Sequence, residues 1–163
     1  MRRVRILAFV LVLCFLLFSA CNRAKPNREN QIPLPFTAKI EGTRGELAFC
    51  AEISASVGER VIRYSLPEPL SGLTVTQTST GIKVVQGDFR AEDQPAAKGY
   101  LAPLDLLLSP AELSAVEEQN GEQTLTYADG TKLILQADGT PRAVIGADLF
   151  YTISDFETKC AQK

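Results

Sequence analysis

The chain has 163 residues, a formal net charge of −2 and no histidine. Its length suffices for one domain with a hydrophobic core, and its mildly acidic charge argues against nucleic-acid binding, which requires a basic face. The absence of histidine removes histidine-based triads, histidine metal sites and the commonest general base.

Residues 1–20 have the pattern of a bacterial export signal. Three arginines precede an apolar run, residues 6–18, which has signal length and is short for a bilayer span. Ser19 and Ala20 suit a peptidase, and Cys21 offers a thiol for lipidation, so the stretch resembles the lipobox of bacterial lipoproteins. We predict a signal peptide over residues 1–20 and a lipidated Cys21, which can carry palmitate. The alternative is a secretory signal in which Cys21 is incidental.

A flexible linker is predicted over residues 21–35. The segment is polar, contains three prolines and three basic residues, and cannot bury enough apolar surface to fold. It would hold the domain, residues 36–163, away from the lipid headgroups. Its basic residues either contact anionic headgroups or are simply solvated.

The four cysteines separate by position. Cys14 leaves with the signal peptide and Cys21 is the predicted anchor, so Cys50 and Cys160 remain. Outside the cytoplasm these two thiols can form a disulfide, although their spacing does not show that they lie within reach. The alternative is two free thiols.

From Phe36 onward, apolar and polar residues alternate, which is the pattern of half-buried β-strands. The first block of predicted strands consists of residues 36–41, 47–54, 60–66, 73–78 and 82–86. Residues 88–100 are polar and irregular, and they are predicted to form a long loop.

A helix is predicted over residues 109–120. Ser109 is a capping residue, Pro110 suits the first helical position, and Glu112 can reach back to the cap. A leucine-rich turn or short helix is predicted just before it, at residues 103–108.

A second block of strands follows, joined by Asp-Gly turns that tolerate a positive φ. Its predicted strands are residues 123–127, 132–136, 142–146 and 150–156. The two blocks together predict an α+β fold of nine or ten antiparallel strands. The strands would form a curved sheet, a half β-barrel, with a short helical insert on its concave side.

The order of these motifs resembles the half-barrel lipoprotein-carrier superfamily, the LolA/LolB-like proteins. A lipoprotein signal precedes a strand meander, a leucine-rich helical segment, residues 137–144 (ADGTPRAV) and residues 153–156 (ISDF). The superfamily has Gram-positive relatives, including spore-germination lipoproteins that act through a protein partner. The resemblance covers residues 36–156 and implies an open apolar cradle for acyl chains or for a partner's apolar segment.

The candidates for ligand-facing positions in such a cradle are apolar residues of the predicted strands. They are Phe49, Ile53, Ile62, Tyr64, Val75, Val84, Leu125, Leu133, Leu135, Val144, Phe150 and Ile153. The alternative is that these residues pack against the helices and leave no cavity.

No catalytic residue, metal site or cofactor is predicted, because the sequence lacks the nucleophile, phosphate-loop and Cys-x-x-Cys motifs. The predicted protein is a non-catalytic lipoprotein held by acyl chains on the extracytoplasmic face of the cell membrane. Its ligand would be a lipid or an acylated or apolar peptide. Asn22 is not a retaining aspartate, so the resemblance to known lipoproteins implies that a host with two membranes would sort the protein to the outer one.

A second hypothesis belongs to a different functional class. The protein would be an interaction or assembly factor without a small ligand, monomeric or dimeric. It would bind a protein partner or a second copy through exposed strand edges or residues 88–100.

Overall fold

The computed structural model describes residues 32–108 and 110–158. The chain divides into the units Met1–Asn30 and Gln31–Lys163, and the described residues belong to the second unit. No helix in this part of the chain is both long and apolar enough to cross a bilayer. The predicted signal peptide, Cys21 and most of the linker lie outside the described residues.

Across the described residues the structure has eleven strands, one α-helix and two 3₁₀ segments. The helix, α1, is Ala102–Leu108, and the 3₁₀ segments are Glu68–Leu70 and Pro95–Leu101. The strands are β1 Phe36–Arg44, β2 Leu47–Ser56, β3 Glu59–Leu66, β4 Thr74–Thr78, β5 Gly81–Gln86, β6 Phe89–Ala91, β7 Leu113–Gln119, β8 Glu122–Tyr127, β9 Lys132–Leu135, β10 Pro141–Ile145 and β11 Leu149–Thr158.

These strands form one open sheet in the order β6-β5-β4-β3-β2-β1-β11-β10-β9-β8-β7. All neighbouring strands are antiparallel. The first and last strands pair at the centre, with Phe36 opposite Thr158 and Arg44 opposite Leu149. The edges are β6 and β7, which follow one another in sequence, so the chain between them must cross the sheet. The prediction of an open antiparallel sheet is confirmed.

Nearly all buried side chains of the sheet lie on one face, because successive residues of a strand point to opposite faces. In β1, for example, Phe36, Ala38 and Ile40 are buried, whereas Lys39 and Glu41 are exposed. We name the buried, concave face the inner face and the opposite one the outer face. The inner face holds the hydrophobic core.

Residues 95–108, named here the crossing segment, lie over the inner face. The segment consists of the second 3₁₀ segment followed by α1. Its Ala97, Leu101, Leu104 and Leu107 are buried in the same core as the strand residues. The predicted helical insert on the concave side is confirmed.

The prediction of a helix over residues 109–120 was wrong. Leu113–Gln119 is strand β7, which pairs with β8 through a two-residue turn, while the helix ends at Leu108 and Ser109 lies outside the described residues. The apparent cap and proline are local signals. Pairing with β8 outweighs them, because it gives β7 a partner strand across a tight Asn-Gly turn.

The predicted loop over residues 88–100 is also more regular than expected. It contains the short strand β6 and the 3₁₀ segment Pro95–Leu101. With β7, this raises the strand count from the expected nine or ten to eleven in the described part of the chain.

Candidate functional site

The predicted ligand-facing residues converge on the inner face, with one exception. Eleven of the twelve are buried there and belong to one connected core. They are Phe49, Ile53, Ile62, Tyr64, Val75, Val84, Leu125, Leu133, Leu135, Val144 and Ile153. The period-two pattern therefore identified the inner face of the central and flanking strands.

Phe150 is the exception, and its assignment to the inner face was wrong. In β11 the buried positions are Leu149, Tyr151 and Ile153, so Phe150 lies between them on the outer face, where its side chain is 44% exposed. It pairs there with Ile145 of β10, which is also exposed. The inner-face aromatic residue of this strand is Tyr151.

The inner face is covered by the crossing segment. Leu101 and Leu104 are fully buried against the sheet, and Leu107 is almost so. Leu106, Ala102 and Leu108 pack against the same core. The segment thus occupies the space that an apolar ligand of the concave side would enter.

Two tyrosines of the sheet hold the crossing segment through its backbone. The Tyr64 hydroxyl donates to the Tyr100 carbonyl oxygen at 2.7 Å, and the Tyr151 hydroxyl donates to the Pro103 carbonyl oxygen at 2.6 Å. Burial raises the pKa of Tyr64 to about 12 and that of Tyr151 still further. Both hydroxyls therefore stay protonated, and able to donate, at neutral pH.

These tyrosines belong to a cluster of aromatic rings. The Phe49 ring meets the Tyr64 and Tyr151 rings edge to face, with centroids 6.2 Å and 6.4 Å away. The Tyr100 ring of the crossing segment meets Tyr64 at 6.1 Å in the same manner. Such pairs contribute about 0.5–1.5 kcal/mol beyond the area they bury. The cluster therefore fixes the position of the 3₁₀ part of the crossing segment on the sheet.

Charged side chains fasten the crossing segment at two further points. Arg60 of β3 donates to the Asp105 carboxylate of α1 at 2.8 Å, and both side chains are 32% exposed. Arg44 of β1 donates to the Gly99 carbonyl oxygen at 3.1 Å. The segment is thus fastened at residues 99, 100, 103 and 105.

Sequence reasoning did not identify these fastening residues. One signal was available, because Asp105 is the single charge in residues 101–108 (LAPLDLLL). A charge inside an apolar run usually has a partner when it is partly buried. The partner, Arg60, is distant in sequence and could not be chosen among the arginines.

A groove of about 800 Å³ lies on the outer face, across the central strands. Lys39 and Asp155 form an ion pair at its rim, with 2.8 Å between Nζ and Oδ2, and this pairing raises the pKa of Lys39. Arg63 also lines the groove. The groove is open, and its lining combines polar and apolar side chains, unlike the apolar inner face.

A second, smaller outer-face groove of about 430 Å³ is lined in part by Cys50. Burial raises the pKa of the Cys50 thiol, and the Glu41 carboxylate adds to the increase. A raised pKa disfavours the thiolate, which is the reactive form.

The cysteine predictions fall mainly outside the described residues. Cys50 is half-buried and has no disulfide within the described part of the chain. Cys21 and Cys160 lie outside it, so lipidation of Cys21 stays a prediction, and the two alternatives for Cys50 and Cys160, a disulfide or free thiols, are not tested by the described residues. Within residues 32–108 and 110–158, no three Cys, Asp or Glu side chains come together as metal ligands.

The sequence matches no protein-family model and no curated protein. Among solved structures, the chain is similar to an uncharacterized conserved protein from Thermus thermophilus. The TM-score is 0.53 at 15% identity, and the match covers 78% of this chain and 80% of that one. This similarity shows a shared fold and nothing about ligand or activity.

The chain is also structurally similar to a LolA superfamily protein from Nitrosomonas europaea. The TM-score is 0.45 at 10% identity, covering 82% of this chain and 90% of that one.

Proposed function

We propose that the chain is a lipid-anchored, non-catalytic binding protein on the extracytoplasmic face of a bacterial membrane. The leader of residues 1–20 and the thiol of Cys21 support export and anchoring. Two or three acyl chains on Cys21 would make the attachment stable, because each inserted CH₂ contributes about 0.8 kcal/mol.

The proposed ligand is an acyl chain or an apolar peptide, and its site is the inner face. The observation that carries this proposal is that one short crossing segment covers a continuous apolar face. A ligand would replace the leucines of that segment. Each buried CH₂ contributes about 0.8 kcal/mol, whether it belongs to a leucine of the segment or to an acyl chain. An acyl chain of similar size would therefore replace the leucines with little change in free energy.

Displacement of the crossing segment requires its fastenings to open. The contact between Arg60 and Asp105 is an ion pair between two side chains, so a single substitution on the segment can remove it. Asp105→Ala should therefore ease displacement and raise the occupancy of an added acyl ligand several-fold. Asp155→Ala is a matched control, because it removes an ion pair of equal length on the outer face.

Photo-crosslinking of the full-length, detergent-solubilised protein with a photoactivatable fatty acid tests this proposal. Crosslinks are expected on inner-face strands or on residues 95–108, with a higher yield for Asp105→Ala and an unchanged yield for Asp155→Ala. Crosslinks confined to the outer face, or a yield that does not respond to Asp105→Ala, would refute it.

A second function, that of a protein-interaction or assembly factor, is favoured by the filled inner face. In this case the crossing segment would be a permanent part of the core. Native mass spectrometry of the full-length protein separates the two functions. Co-purified lipid favours the acyl-binding function, whereas a lipid-free dimer or a defined complex with one partner favours the second.

A further inference from the structure

The two edge strands of the sheet differ in length and in how far their outer backbone groups are hydrogen-bonded. Edge strand β6 has three residues, and the chain after it folds back so that the Gln94 N–H donates to the Ile82 carbonyl oxygen at 2.8 Å. This contact occupies part of the neighbouring β5 edge. Strand β7 at the other edge has seven residues and, among the described strands, pairs with β8 alone. One edge is therefore shortened and partly capped, and the other is open.

Strand β7 buries little of its own surface. Every side chain from residue 114 to residue 119 is exposed, including Val116 at 45%. Val116 lies opposite the fully buried Leu125 of β8, so it extends the apolar inner face to the edge. A further strand beside β7 would cover Val116 and continue the sheet.

The turn that joins β7 to β8 shows which backbone groups are free. Asn120 and Gly121 have φ values of 55° and 80°, the signs required by a two-residue type I′ hairpin. The closing pair of such a hairpin, Gln119 and Glu122, exchanges both hydrogen bonds, and bonded and unbonded pairs then alternate. The N–H and C=O groups of Glu118 and Val116 therefore point away from β8 and pair with no other described strand, so they can bond a new strand.

The negative charge of β7 determines which kind of strand could pair with it favourably. Glu117 and Glu118 are exposed, and neither forms an ion pair within the described residues. Strand β7 contains no lysine or arginine. A second copy pairing through β7 would bring two more carboxylates to the same ribbon, which is unfavourable. A strand that carries cations opposite these glutamates would be stabilised instead.

We propose that β7 accepts an extended, basic segment of another protein as an antiparallel twelfth strand of the sheet. In the proposed complex, the partner strand places cations opposite Glu118 and Glu117 and an aliphatic residue opposite Val116. Its signature is thus two adjacent basic residues followed by an aliphatic one. Backbone hydrogen bonds supply affinity, and the side chains supply selectivity. This proposal does not depend on a ligand of the inner face.

The test uses the full-length protein and a labelled peptide, acetyl-Thr-Ser-Thr-Lys-Arg-Val-Thr-Ser-Thr-amide. Binding is measured by fluorescence anisotropy, and amide hydrogen exchange locates it. We expect protection of the Val116 and Glu118 amides. We also expect about tenfold weaker binding when Glu-Glu replaces Lys-Arg in the peptide, because opposite-charge pairs then become like-charge pairs.

Substitutions in β7 separate the backbone contribution from the side-chain contribution. Glu118→Pro removes an N–H that points away from β8, so it should abolish peptide binding while the hairpin persists. Glu118→Ala is its matched control, since it removes the carboxylate but keeps the N–H, and it should weaken binding only several-fold. The double variant Glu117→Gln, Glu118→Gln keeps the strand intact and should remove the preference for the basic peptide.

Three results would overturn the proposal. The first is no binding of the basic peptide, and the second is equal binding of the basic and acidic peptides. The third is a protein dimer in sedimentation that Glu118→Pro dissociates, because this result would assign the edge to a second copy.

Discussion

Gly42 lies where the backbones of β1 and β11 approach too closely to admit a side chain. A Cβ at this position would lie 2.6 Å from the Cα and Cβ atoms of Tyr151 and against the Phe150 carbonyl oxygen. Because the obstructing atoms belong mainly to the backbone of β11, they cannot move without disturbing the central strand pair. We expect Gly42→Ala to lower the free energy of unfolding by about 2 kcal/mol or more, as measured by urea denaturation.

Gly99→Ala is the control for this substitution. Gly99 has an ordinary φ, and an added Cβ would meet nothing within 4 Å. Its effect on the free energy of unfolding should stay within about 0.5 kcal/mol. Equal effects of the two substitutions would contradict the close approach of the backbones at Gly42.

The hydroxyl of Tyr151 is expected to stabilise the fold by binding the Pro103 carbonyl oxygen. Tyr151→Phe removes this buried hydrogen bond, and we expect a loss of about 1 kcal/mol in the free energy of unfolding. Tyr100→Phe removes the hydroxyl of a side chain that is 38% exposed, and it should change the free energy of unfolding much less. Thermal unfolding followed by circular dichroism measures both variants.

The same tyrosines predict a loss of stability at high pH. Burial raises the pKa of Tyr64 to about 12 and that of Tyr151 as well, whereas tyrosine in the unfolded chain titrates near 10. Below pH 10 both states keep their protons. Above it the unfolded chain loses them first, so the free energy of unfolding falls as pH rises from about 10 to about 12. Urea denaturation should show a shallower fall for Tyr151→Phe than for the unchanged protein.

The error at Phe150 shows what alternation alone can decide at a single residue. Phe150 and Tyr151 are adjacent aromatic residues, so one of them must lie on each face of the strand. Counting back two positions from the buried Ile153 selects Tyr151 for the inner face. Strict alternation within the strand therefore assigns both aromatic residues correctly.

At the scale of the elements, the helix α1 should be essential to the core. Leu104 is fully buried, and Leu104→Ala would leave a cavity between α1 and the sheet. We expect a loss of about 2–5 kcal/mol in the free energy of unfolding. Leu66→Ala removes the same atoms from a side chain that is 50% exposed, and it should cost far less. Equal losses in chemical denaturation would mean that α1 does not seal the inner face.

The elements also differ in how far the sequence could predict them. Strands with one buried face, such as β2, show the period-two pattern clearly. Strand β7 does not, because almost all of its side chains are exposed and no apolar alternation is required. The Ser-Pro-Ala-Glu sequence that precedes it, residues 109–112, instead has the pattern of a helix cap. Only the pairing with β8, which depends on the folded sheet, makes it a strand.

The site was partly predictable for the same reason. The apolar residues of the inner face follow from alternation within each strand. The crossing segment depends on the strand order, which places β6 and β7 at opposite edges. The period-two pattern does not determine the strand order. The covering of the inner face by the crossing segment and the contact between Arg60 and Asp105 therefore could not be predicted from the sequence.

At the scale of the whole molecule, the register of the central strands places Cys50 far from Thr158, the last described residue of β11. Thr158, Phe36 and Ala55 lie in one row, and Cys50 is five positions further along β2, at about 17 Å. Two residues beyond Thr158 span at most about 7 Å, and a disulfide requires Cα atoms within about 7 Å. We therefore expect no disulfide between Cys50 and Cys160 while β11 stays paired with β1.

Alkylation of the exported protein without reductant, followed by mass spectrometry, checks this expectation. Both thiols should carry the alkyl label. A peptide pair linked through Cys50 and Cys160 in the unreduced digest would show that the end of β11 separates from β1.

The central pairing of the first and last strands also constrains how the sheet is assembled. A growing chain emerges with its amino terminus first, so β1 is among the earliest strands available and β11 is the last. The meander from β1 to β6 can form early, but β1 then has an unpaired side until residues 149–158 have emerged. The middle of the finished sheet is thus the most exposed edge of the nascent protein, and it is there that premature association must be prevented.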